Sequence, residues 1–69
     1  MKLLIIKNDD NYIRFKDKKY VVCKLDKASV YPFDKLDIVE NHIVNLKKAG
    51  FYNALIYELV ITENPFKKR

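Results

Sequence analysis

The stretch DKLDIVENHIVNLKKAGFYNALIYELVIT, Asp34 to Thr62, decides the fold of this chain of 69 residues. Asp34 follows Tyr31-Pro32-Phe33 and has the chemistry of an N-cap, because its carboxylate can accept from the orphan amides of a first helical turn. From there, a step of about 100° per residue gathers Leu36, Val39, Ile43 and Leu46 into one apolar stripe, with Ile38, His42 and Ala49 along its edge. Asp37, Asn41, Asn45 and Lys48 lie opposite, and Val44 falls among them against the pattern. Lys47 and Lys48 suit the negative end of the helix dipole, and Gly50 stands where a left-handed residue ends a helix. A helix over Asp34–Ala49 is therefore expected.

Beyond the glycine, Ala54–Thr62 has the pattern of a strand. Leu55, Tyr57, Leu59 and Ile61 make one fully apolar face, and on the other only Glu58 interrupts Ala54, Ile56, Val60 and Thr62. Lys2–Lys7 is likewise apolar on both faces, which makes these two strands natural central neighbours. Such strands belong in sheets covered on both sides, yet the chain supplies one helix. One sheet face is thus left in need of cover.

Between these strands, Asn8-Asp9-Asp10-Asn11 is turn chemistry, and Asp17-Lys18 is a hairpin signal lacking glycine. Tyr12–Lys16 and Lys19–Leu25 both alternate. Val30–Phe33 leads into the helix, with Pro32 arguing against a central strand position. The order β-β-β-α-β implies an α+β fold, a four-stranded mainly antiparallel sheet with the helix packed on one face. The expected core sets Leu36, Val39, Ile43 and Leu46 against Ile13, Phe15, Val21 and Cys23. Residues 1–63 are expected to form a single compact domain, and residues 64–69 a flexible basic tail.

The net charge of +5 is unevenly placed. Residues 1–27 carry eight Lys/Arg against four Asp, residues 28–63 three against five, and the end of the chain adds Lys67, Lys68 and Arg69. The body is thus only mildly basic, concentrated in its N-terminal half. The first apolar run, Leu3–Ile6, is too short for a signal peptide, and no stretch is long enough to span a membrane. Together with a single cysteine, this leads to the expectation of a cytoplasmic protein. A domain this short has little core to set against chain entropy. With no internal disulfide possible, a partner is the natural source of extra stability.

No reaction is written into the chain. His42 lacks a motif that would supply a nucleophile or orienting carboxylate, so it is expected to be a packed, hydrogen-bonded histidine. Cys23 alternates with Val21 and Leu25 as a small core residue, and Asp9-Asp10 lacks calcium-loop spacing. The one glycine ends a helix and cannot belong to a phosphate loop. Neither an enzyme, a cofactor, a metal nor a small-molecule substrate is implied.

The outward sheet face carries the more telling composition. Tyr12, Arg14 and Lys16 are expected to meet Tyr20, Val22 and Lys24 across the hairpin, with Ile56, Glu58 and Val60 continuing the surface. Tyr and Arg among aliphatics is the make-up of protein interfaces. A two-fold copy could cover this face, with Arg14 and Glu58 pairing across it, and Val44 is an alternative contact. The run Asp26–Asp34, the helix, then Leu46-Lys47-Lys48-Ala49-Gly50-Phe51 and a closing strand resemble small uncharacterised proteins of bacteriophages and mobile elements in pattern and size. That resemblance implies a compact binder of a host protein, such as an inhibitor of a defence system. The first expectation is therefore a self-associating interaction module using Tyr12, Arg14, Tyr20, Val22, Lys24, Ile56, Glu58 and Val60. The second is a nucleic-acid binder using Arg14, Lys16, Lys24, Lys67, Lys68 and Arg69. It lacks the aromatic-glycine signature of an RNA-recognition sheet around Lys19–Val22.

Overall fold

A computed structural model describes residues 2–62. The expected basic tail, with Lys67, Lys68 and Arg69, lies outside the described residues. The elements are β1 (Lys2–Asn8), β2 (Asn11–Lys16), β3 (Lys19–Cys23), β4 (Val30–Pro32), α1 (Leu36–Lys48) and β5 (Ala54–Val60), with 3₁₀ turns at Leu25–Lys27 and Phe33–Lys35. The class is α+β, one helix and a sheet whose neighbouring strands are all antiparallel. The strands number five rather than four, because Val30–Pro32 pairs with β1 from Leu3↔Pro32 to Ile5↔Val30. Pro32, which cannot donate to the ladder, is the last residue of that short strand.

β1 is the centre of the sheet. One of its edges carries β5 along its whole length, from Lys2↔Val60 to Asn8↔Ala54. The other edge is shared: β2 pairs at Lys7 and Asn8, and β4 at Leu3 to Ile5. The β2–β3 hairpin diverges from β1 at this point. Ser29, just ahead of β4, bridges to it, its amide donating to the Ile13 carbonyl and its Oγ accepting from the Phe15 amide at 2.9 Å. β5 is therefore an edge strand, not the central one its apolar faces suggested.

Two tight turns set the registers. Asp17 and Lys18 both have positive φ, 53° and 62°, the type I′ geometry whose twist suits a two-residue hairpin. Lys16 then faces Lys19, Phe15 faces Tyr20 and Ile13 faces Val22. Asp9, at φ 55°, opens the β1–β2 turn, and Asn53 Nδ2 donates to its Oδ1 at 2.9 Å, tying this turn to the loop before β5.

The helix begins later than Asp34. Pro32 leads into the 3₁₀ turn Phe33–Lys35, no side chain caps either element, and α1 starts at Leu36. Its end follows expectation. Gly50 has φ 104°, its amide donates to the Lys47 carbonyl, and the Phe51 amide donates to the Leu46 carbonyl at 2.9 Å, the two bonds of a Schellman stop. Phe51 packs back on the core beside Leu46, supplying the motif's apolar contact.

The core between sheet and helix consists of Leu4, Ile6, Ile13, Val39, Leu46 and Ala54, flanked by Tyr20, Tyr31, Ile43, Phe51 and Ile56. Leu36, expected inside, is 42% exposed at the first turn of α1. Val21 and Cys23 are not in this core. The hairpin register places them with Tyr12 and Arg14 on the far face, and brings Tyr20 and Val22 to the helix side. None of the described helices is long and apolar enough to cross a membrane.

Candidate interaction surface

Because side chains alternate along a strand and directly paired residues share a face, the registers sort the whole sheet. The helix side holds Lys2, Leu4, Ile6, Ile13, Phe15, Tyr20, Val22, Tyr31, Ala54, Ile56, Glu58 and Val60. The opposite side is turned away from α1. At its centre Ile5 is only 2% exposed, with Val30 and Tyr57 as its cross-strand partners. Around it lie Leu3, Leu55 and Leu59, and Val21 extends the apolar area across the hairpin. Val21, Val30, Leu55 and Tyr57 are all exposed.

The charges that the strands themselves bring to this face are all of one sign, and Asp26, in the turn after β3, lies near enough to act on the Cys23 thiol there. Lys7, Arg14, Lys16 and Lys19 point to it by strand alternation, and no strand carboxylate does. Lys7 Nζ stands 5.3 Å from the Tyr57 ring centroid and 5.6 Å from that of Tyr12, so two aromatic rings hold a cation between them. Glu58 is on the helix side, where its Oε1 lies 3.5 Å from Lys2 Nζ.

These positions divide the residues expected to act together. Tyr12, Arg14 and Lys16 share the open face. Tyr20, Val22, Ile56, Glu58 and Val60 belong to the helix side, and Lys24 has left the sheet to precede the turn Leu25–Lys27. Arg14 and Glu58 are thus on opposite faces and cannot pair across one two-fold interface. Two registers are the reason: a two-residue loop at Asp17-Lys18 sets Phe15, not Tyr12, in phase with Tyr20 and moves every hairpin partner to the other side, and the pairing of β5 with β1 sets Ile56, Glu58 and Val60 in phase with Ile6, Leu4 and Lys2. Lys7, Lys19, Val21, Val30, Leu55 and Tyr57 were the residues missed. The rule for type I′ loops, applied to Asp17-Lys18, would have found the hairpin part of that set.

On the helix side, His42 is packed in a ring cluster. Its centroid is 4.5 Å from Phe15, 5.5 Å from Tyr20 and 5.8 Å from Tyr31. Its Nδ1 is hydrogen-bonded to the Tyr20 hydroxyl at 2.7 Å, the imidazole tautomer setting which of the two donates. Burial lowers the histidine pKa below its usual 6.5, and burial raises that of Tyr31, with the Ser29 hydroxyl opposing the rise. The imidazole is thus held by a phenol and three aromatic rings. Cys23, expected in the core, is half-buried on the open face. Its Sγ donates weakly to the Tyr12 carbonyl at 3.6 Å, and its pKa is raised chiefly by desolvation, with Arg14 opposing. Among the described residues, no group of three or more His, Cys, Asp and Glu could hold a metal.

A groove of about 360 Å³ lies elsewhere, between the flank of α1 (Glu40, Ile43, Val44, Lys47) and Ala54, Leu55 and Ile56 of β5. No protein-family model, curated protein or solved structure matches the chain.

Proposed function

We propose that this chain is a non-enzymatic interaction module that docks its open sheet face on an acidic, partly apolar surface of another protein. One observation carries the reading: a helix-free sheet face bearing Lys7, Arg14, Lys16 and Lys19 with no strand carboxylate, set among exposed Val21, Val30, Leu55 and Tyr57. Exposed aliphatic and aromatic area of this kind marks binding surfaces on small soluble domains. Two copies of the face would set like charges against each other, so the partner is a different protein. Blocking an acidic surface in this way is how a small inhibitor of a host protein would act.

Capture from a nuclease-treated lysate tests the reading. A protein held by the unmodified chain should be lost with Arg14→Glu and with Leu55→Asp, each on the open face. It should be kept with Val22→Asp, on the helix side at an exposed position. Equal capture by all four chains would refute it.

A second reading rests on Lys7 between Tyr12 and Tyr57. Rings and cations interleaved on a sheet suit single-stranded nucleic acid. The aliphatic share of the face favours protein, since base stacking makes no use of Val21, Val30 or Leu55. Salt separates the two: nucleic-acid affinity falls linearly in log salt with a slope of about −0.7 per phosphate on single strands.

A further inference from the structure

The edge of β5 and the groove beside it form a second surface, which meets the open sheet face at Leu55. β5 pairs only with β1 among the described residues, so one row of its backbone amides and carbonyls has no strand neighbour. Natural edge strands are protected by charged side chains, lysine above all, or by proline, bulges or brevity. β5 has one charged residue, Glu58, which pairs with Lys2 on the helix side, and none of the rest. Its seven residues, ALIYELV, contain no Lys, Pro or Gly, and Leu55, Tyr57 and Val60 are exposed. The edge at β3 differs, being five residues long and opening with Lys19.

The helix flank above this edge is self-complementary. Glu40 and Lys47, seven positions apart, lie on the same side of α1 and bracket Ile43 and Val44 symmetrically. Each charge stands about 5 Å along the axis from the midpoint between those two residues, at about 1.5 Å per residue. Neither has an ion-pair partner among the described residues. Val44, the apolar residue stranded on the polar side of the helix, sits exposed in the middle of the groove.

We propose that two copies of the chain associate through this surface about a two-fold axis, β5 pairing antiparallel with β5 near Leu55 to join the two sheets. An axis through the helix midpoint brings Glu40 of each copy to Lys47 of the other, and Ile43 of each to Val44 of the other. The same groove is lined by Ala54, Leu55 and Ile56, and an axis at Leu55 sets Ala54 of each copy opposite Ile56 of the other. The occupant is a second copy because the charge pattern is complementary to its own rotated image. A foreign helix or strand would need that pattern by coincidence.

Sedimentation equilibrium on the full chain tests this, with circular dichroism checking that each variant is folded. The unmodified chain should show twice its 8.2 kDa mass. Glu40→Lys and Lys47→Glu should each raise the dimer dissociation constant about tenfold, since each exchanges two attractions for two repulsions. Mixing the two variants should restore association, because both cross-pairs become attractive again. Val44→Glu, at an exposed site tolerant of change in the monomer, should abolish the dimer. Arg14→Glu should leave it intact, so failure here is distinguishable from failure of the sheet-face reading. A monomer at the highest concentration loaded, with or without residues 63–69, would overturn the proposal. So would a dimer indifferent to Glu40→Lys, or single variants that mixing does not rescue.

Discussion

Leu46 and Leu36 occupy the same apolar stripe of the helix, ten residues apart, and the structure assigns them very different weights. Leu46 is fully buried among Leu4, Ile6, Ile13, Val39 and Ala54, and its carbonyl accepts the Phe51 amide that closes the helix. Truncating it to alanine opens a cavity where α1 and the incoming β5 segment are pinned together. The loss is about 2–5 kcal/mol, the range for a buried leucine in a core that relaxes only partly. For a small domain, each kcal/mol lowers the midpoint by about 4–8 °C, so Leu46→Ala should melt on the order of 10–30 °C below the parent. Leu36, with 42% of its surface exposed at the first turn, loses little area, and alanine is the better helix former. Leu36→Ala should stay within about 1 kcal/mol of the parent. Thermal unfolding followed at 222 nm, a wavelength that reports helix, measures both. Equal losses would refute the packing described, as would a Leu46→Ala variant that melts like the parent.

Other perturbations reach different parts of the fold. Gly50→Ala meets nothing within 4 Å of the added methyl, so its cost is conformational, about 1–2 kcal/mol for a non-glycine at positive φ, measurable as a lower urea midpoint. Lys18→Gly should do the reverse, stabilising the fold by about 0.5–1 kcal/mol and so raising the urea midpoint, because the type I′ loop holds Lys18 at φ 62°. The His42 pKa lies below 6.5 in the folded chain, so the unfolded state binds the proton more readily. Its contribution is present above pH 6.5 and is lost as pH falls through the folded value. Melting should therefore drop between pH 7.5 and pH 5, and the drop should shrink in His42→Gln; an unchanged pH profile in that variant would place the dependence elsewhere.

What the sequence determined by itself was local or periodic. The 3.6-residue stripe located the helix, Gly50 marked its stop, alternation identified β2 and β3, and short runs apolar on both faces identified β1 and β5. Each of these signals acts over a few neighbouring residues. The imbalance of two doubly apolar strands with a single helix also implied an apolar sheet face turned away from that helix. Tertiary structure decided which residues make up that face. The loop at Asp17-Lys18 chose the hairpin register, and with a period of two that choice moved Tyr20 and Val22 toward the helix and Val21 and Cys23 away from it. Asp34 lost its capping role to a 3₁₀ turn made by the chain's entry from β4, and Val30–Pro32 became a strand because β1 had half an edge unoccupied by the diverging hairpin. The position of β5 at the edge depends in the same way on pairing partners far along the chain. Apolar pattern records how much a strand can bury, and only the assembled sheet determines which of its sides and edges are left open.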